Sequence, residues 1–197
     1  GEAQGFASGL KLVIGAGAYQ LMLDAGLNPE TATETELINY ADFYYEYDAE
    51  KRVTLERVEG GRQEYGMAYT TNPAYDGGVN TWKTKTVETL PDGSEHRVYS
   101  NGGNVMLVKI LQKAGSSDQW VDYWTYTEES RPLTHAQPSA VASVKERAGG
   151  STTLTVHLRE AAGKIELTDY YTEDADTGSS SSSSSDSGAV AGSVSTR

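Results

Sequence analysis

The stretch "FYYEYDAEKRVTLERV", Phe43 to Val58, puts four aromatic residues into five positions, opens a charged turn at Asp48 and continues as an alternating apolar run. Apolar alternation with period two on both sides of a short polar turn predicts a β-hairpin. The same period runs from Ala41 to Tyr171, through "QEYGMAYT", "TWKTKTVETL", "SEHRVYS", "VMLVKILQ", "WVDYWTYT", "TTLTVHL" and "KIELTDYY". Turn chemistry separates these runs. "LPDG" sets Pro91 and Gly93 where a type I turn wants them, "EGGR" places Gly60 and Gly61 at a tip, and "SNGGN" makes a third turn. The expected fold is mainly β, an antiparallel hairpin meander.

The first 41 residues read differently. "AGAYQLMLDAG", Ala16 to Gly26, has apolar residues at helical spacing, with Gly26 and Pro29 as stop signals. Thr33 and Glu36 form the S/T-x-x-E capping pattern of a second short helix reaching Tyr40. Residues 134–150 read as a loop with one helical turn that interrupts the strands. Past Tyr171 an acidic stretch leads into seven serines, Ser179 to Ser185, which by composition is a linker or a segment held by a neighbour. Three regions are therefore expected: 1–41 with short helices, 42–171 with hairpins, and 172–197 as an acidic, Ser-rich tail.

Composition narrows the function classes. The net charge is −12 and the 16 Lys and Arg are scattered, so nucleic acid is not an expected partner. There is no cysteine, hence neither a disulfide framework nor a thiolate metal site. The first residue is Gly1 and no leader pattern follows it, which marks a processed chain or a piece of a longer one. "LKLVIGAGAYQLML" is too short and too broken by Lys11 and glycines to span a bilayer, so a soluble chain is expected. Thirteen Tyr stand against 2 Phe, a balance suited to half-buried strands whose hydroxyls reach water or a partner.

The opening hairpin has echoes. Tyrosines precede turns at Tyr47, Tyr99 and Tyr126; four residues later stand Lys51, Gly103 and Ser130, and five later Arg52, Asn104 and Arg131. The copies are unevenly spaced, but this alignment gives them one inner register. Tyr45 and Trp124 lie two residues before Tyr47 and Tyr126, on the same strand face, so stacked ring layers are expected. The arginine is placed to lie on a ring or to pair with Asp48.

"YEYDAEKRVTLERV" resembles the YD repeat of bacterial RHS proteins, roughly Y-D-x-x-G-R-L. "VETLPDGSEHRVYSNGGNVMLV" and "YWTYTEESRPLTHAQPSAV" are similar to further units, so the resemblance covers about residues 41–141. Lys51 and Ser130 replace the turn glycine, and Asp is kept only as Asp48. Membership implies hairpins joined edge to edge into a spiralling sheet within a secreted or cell-surface protein, whose partners are copies of itself or the rest of a larger RHS-type chain. Members enclose toxins or act in adhesion and matrices.

No catalytic set stands out, and an enzyme is not expected. His96, His135 and His157 lie far apart with no metal-ligand spacing. "DADTG" opens like a calcium loop but lacks the distal Glu. Gly15-x-Gly17 lacks the third glycine and the Lys of a phosphate loop. No cofactor is implied. The open question is aromatic: Trp82, Trp120 and Trp124 either pack in strand layers or form a platform for stacking glycans.

Overall fold

The computed structural model describes residues 9–146, 154–159 and 161–170, and the backbone of 194–196. The elements in chain order are β1 (Leu12–Val13), α1 (Ala16–Asp24), α2 (Glu34–Ile38), β2 (Phe43–Tyr47), β3 (Val53–Val58), β4 (Gln63–Thr71) and β5 (Thr84–Thr89). Then follow β6 (Glu95–Ser100), β7 (Met106–Gln112), β8 (Gln119–Tyr126), β9 (Pro132–Ala136), β10 (Val141–Glu146), β11 (Leu154–Leu158), β12 (Ile165–Tyr170) and β13 (Val194–Thr196). The protein is mainly β and antiparallel. Hydrogen bonding orders ten strands in one sheet, β1 through β9 in sequence and then β12; β13 adds to β12, and β10 and β11 form a separate pair. The chain divides into two compact units, one of residues 1–71, 85–98 and 110–119, the other of 72–84, 99–109 and 120–197.

In the first unit both N-terminal helices form where the pattern placed them. Thr33 caps α2: its hydroxyl accepts from the Glu36 N–H at 3.4 Å, and the Glu36 carboxylate accepts from the Thr33 N–H at 2.8 Å. These bonds to Thr33 hold the Glu36 carboxyl below the usual carboxylate range. Met22 of α1 and Tyr44 of β2 are buried. Burial pushes the Tyr44 phenol well above its ordinary pKa, and its hydroxyl hydrogen-bonds Glu34 at 3.0 Å. Gly60 answers to two constraints at the "EGGR" tip. Its φ is +68°, and a β-carbon there would lie 2.3 Å from the Asn39 carbonyl oxygen.

In the second unit Trp82, Tyr99, Leu107, Val108, Val121, Ala136, Ala140 and Val141 are buried. Residues 134–150 depart from the sequence reading: β9 and β10 fill most of the described part, joined by a single turn in which the Ala140 N–H donates to the Gln137 carbonyl at 2.8 Å. The reason lies in Val141 and Val144, whose β-branched side chains favour extended backbone although they do not alternate; the register shifts between Val141 and Ser143. Val144 pairs with Val156 of β11, and the Tyr99 hydroxyl hydrogen-bonds Glu146 at 3.1 Å. Pro132 sits at the first position of β9, where the missing N–H is tolerated. The Ser179–Ser185 run and "DADTG" lie outside the described residues.

Candidate functional site

Four hairpin turns share one design. In each, the N–H of residue i donates to the carbonyl of i+4, and the N–H of i+3 donates back to the carbonyl of i. The members are Asp48–Arg52 (2.9 and 3.0 Å), Leu90–Ser94 (2.8 and 2.8 Å), Asn101–Val105 (2.9 and 3.1 Å) and Thr127–Arg131 (2.9 and 2.9 Å). Residue i+3 is left-handed every time: Lys51 at φ +66°, Gly93 at +80°, Asn104 at +60° and Ser130 at +63°. This is a three-residue loop closed by a bulge. At the first, third and fourth turns, the side-chain oxygen of i accepts a second bond from the N–H of i+4: Asp48 at 2.9 Å, Asn101 at 3.0 Å and Thr127 at 3.3 Å. Asp, Asn and Thr thus do one job, which accounts for the exchange of Asp48 for other residues between copies.

This geometry corrects the inner register of the middle copy. Its left-handed residue is Asn104, not Gly103, so the residue equivalent to Tyr47 and Tyr126 is Ser100. Tyr99 lies one step away and is buried. The sequence alignment fixed on tyrosine and on glycine identity; the fold places the turn by Asn101, which binds the N–H groups of Gly103 and Val105 at once. A left-handed non-glycine residue costs about 1–2 kcal/mol, part of which glycine returns as unfolded-chain entropy. Ser130→Gly is therefore expected to stabilise the protein by about 0.5–1 kcal/mol. Asn104→Gly should be near neutral, because Asn tolerates this region. Urea denaturation of both variants checks the contrast.

The tyrosines and arginines of the repeat join neighbouring strands. Tyr69 of β4 donates its hydroxyl to the carbonyl of Val53 at 2.8 Å, Tyr126 of β8 to that of Met106 at 2.8 Å, and Tyr170 of β12 to that of Pro132 at 3.0 Å. Val53, Met106 and Pro132 all stand at i+5 of their turns, opening β3, β7 and β9. Tyr47 likewise donates to the Leu10 carbonyl beside β1, at 2.6 Å. Arg52 pairs with Asp48 at 2.7 Å and lies 4.3 Å over the Tyr69 ring, while Arg131 lies 5.5 Å over the Tyr170 ring. The stacking partner is thus the tyrosine of the next strand in the sheet. Within β2, Tyr45 stacks on Phe43, at 6.4 Å and 2°.

Burial raises the pKa of Asp48, but hydrogen bonds from the backbone and side chain of Arg52 outweigh it, and the net shift is below the ordinary carboxylate value. A depressed folded pKa contributes stability that is complete above the unfolded pKa, about 4, and is lost as pH falls through the folded value. Asp48→Asn should accordingly flatten the loss of Tm on acidification below about pH 4. Thermal melts from neutral to strongly acidic pH test this, and unchanged slopes would refute it.

The three tryptophans part company. Trp82 is 2% exposed, with its ring edge-on to Tyr99 at 5.5 Å and 84°, and it offers no platform to solvent. The segment before β5 turns it inward, with the Asn72 amide donating to the Trp82 carbonyl at 2.8 Å. Trp120 is 47% exposed. Trp124, on the same face of β8, stacks on His135 at 4.6 Å and 6°. The His135 Nε2 is 3.0 Å from Asp122, and its Nδ1 is 3.6 Å from Glu166. Chiefly the hydrogen bond from Lys164 holds the Glu166 carboxyl below its usual range.

The remaining candidates bind the fold itself. His96 meets Glu88 at 2.9 Å. The Gly15 N–H, where a phosphate would sit, is taken by the Asp42 carboxylate at 2.7 Å. Among the described residues no group of three His, Asp or Glu is arranged to hold a metal ion, and no helix is long and apolar enough to cross a membrane. Sequence reasoning missed Tyr69 and Tyr170, and it set His135 aside for want of metal-ligand spacing without placing it beside Trp124. The available signal was a tyrosine one strand beyond each Arg-ended turn, visible only once strand pairing is known. Comparison with known proteins finds no matching family model, no matching curated protein and no matching solved structure.

Proposed function

We propose that this chain is a non-catalytic structural module of RHS/YD-repeat type, from an exported bacterial surface or extracellular protein. It works by building antiparallel sheet and by joining copies, or the rest of a longer chain, through sheet edges into a filament, sheath or shell. The observation that carries this reading is the repeated joint: one turn geometry, followed by a tyrosine hydroxyl from the next strand on the carbonyl at i+5. Such a joint ties three of the four hairpins to a neighbouring strand and favours regular sheet growth over any particular ligand chemistry. The left-handed Lys51 and Ser130 also stand where the YD pattern has its glycine. Among the described residues β1, the end strand on one side, pairs with β2 alone, and an open edge invites another strand. Sedimentation velocity over a concentration series is the test. Concentration-dependent growth supports self-association, and a monomer at every concentration refutes it.

A second reading has its own observation. Trp120 and Trp124 share a face of β8 with Asp122, and Trp120 is 47% exposed. An exposed ring beside a carboxylate suits stacking of a sugar ring. A glycan array with Trp120→Ala and Trp124→Ala controls decides it: no binding by the parent chain removes this reading.

A further inference from the structure

The second unit contains a cavity of about 300 Å³. Buried Asn72, Trp82, Leu107 and Val108 contribute to its wall, as do Tyr123 of β8 and Val156 of β11, with Asp76 and Asn80 among the exposed lining residues. By the volume of liquid water this is room for about ten non-hydrogen atoms. Most polar side chains around it are already spent. Asn72 bonds the Trp82 carbonyl and the Ala74 N–H, Asn80 bonds both backbone polar groups of Tyr126, and Asp76 accepts from the Gly78 N–H.

Tyr123 differs. Its ring lines the cavity, and its hydroxyl has no hydrogen-bond partner among the described residues. Burial without a compensating bond pushes the phenol up from its ordinary pKa. The three sheet-joining tyrosines, Tyr69, Tyr126 and Tyr170, each spend their hydroxyl on a carbonyl; Tyr123 keeps its donor beside a partly enclosed space of mixed polar and apolar lining. The Tyr123 hydroxyl is not fully buried, so this donor in the cavity wall is free to bond water or the acceptor oxygen of a ligand.

We propose that this cavity binds a small uncharged ring compound carrying a hydrogen-bond acceptor oxygen, with the Tyr123 hydroxyl as donor. Trp82, Leu107, Val108 and Val156 take the apolar ring, and the Asp76 carboxylate at the rim disfavours an anion. The site stands whether or not the scaffold reading holds, since it uses no sheet edge.

Acetophenone, ethylbenzene and benzoate added to the full chain form a matched probe set: ring plus acceptor, ring alone, and ring plus charge. Intermolecular NOEs from acetophenone to the Leu107 and Val108 methyls, saturating with concentration, are expected. Tyr123→Phe should weaken acetophenone about fivefold and leave ethylbenzene unchanged. Benzoate should bind at least about tenfold more weakly than acetophenone. Absence of saturable NOEs to these methyls, a cavity holding water only, overturns the proposal. So does equal binding of acetophenone by folded Tyr123→Phe. Because the NOE measurement uses the unaltered protein, misfolding of the variant leaves the result decisive.

Discussion

Trp82→Ala is expected to cost about 3–5 kcal/mol of stability, the largest single-residue effect predicted for this chain. The ring is 2% exposed and meets Tyr99 edge-on, so truncation removes both buried area and an aromatic contact, and leaves a void beside Leu107 and Val108. Trp120→Ala, at 47% exposure, should move stability by less than about 0.5 kcal/mol. The two substitutions are chemically identical and opposite in consequence, which makes the pair diagnostic. Urea denaturation followed by circular dichroism measures both. A stable Trp82→Ala variant would mean that its ring is not part of the core. Trp82→Phe keeps most of the aromatic packing and should fall between the wild type and the alanine variant.

That contrast shows where the sequence stopped being informative. Alternation and turn residues marked the strands, and "TETE" marked α2 together with its cap, because each signal is local. Whether a tryptophan lies in or out is not local. Trp82 sits in the segment before β5, where no period assigns it a face; its burial follows from Asn72 and Lys83, whose backbone contacts close the segment on itself. The middle repeat was misaligned by one residue for a related reason. Glycine identity is a proxy for positive φ, and Asn104 supplies the same φ without being glycine. β10 was hidden because its two valines stand three apart across a register shift and show no period of two, and its partner β11 lies beyond residue 150, so no short window contains the pair. The candidate aromatic face was half legible. Trp120 and Trp124 are i and i+4 on one strand, while His135 and Glu166 join them only through cross-strand register.

The triple variant Tyr69→Phe, Tyr126→Phe, Tyr170→Phe bears most directly on the repeated joint. Each change deletes one oxygen and keeps the ring, so packing and the Arg52 and Arg131 stacking contacts persist. What is lost is one hydrogen bond to the carbonyl opening β3, β7 or β9, at 2.8, 2.8 and 3.0 Å. A bond of this kind contributes about 0.5–1.5 kcal/mol, so the three together should cost about 2–4 kcal/mol. Tyr69 belongs to one unit and the other two to the second, so the first term should add to the rest. Tyr65→Phe is the control: its hydroxyl bonds the exposed Gln63 side chain, and its loss should be close to zero. Burial raises the pKa of both Tyr69 and Tyr126. A raised folded pKa gives stability that is complete below the unfolded value, about 10, and is lost as pH climbs through the folded one. The triple variant has no such protons to lose at these positions, so its alkaline stability slope should be shallower than that of the wild type. If the three hydroxyls prove to contribute no more than Tyr65, the shared geometry at i+5 does not hold the strands together, and the scaffold reading loses the observation on which it stands.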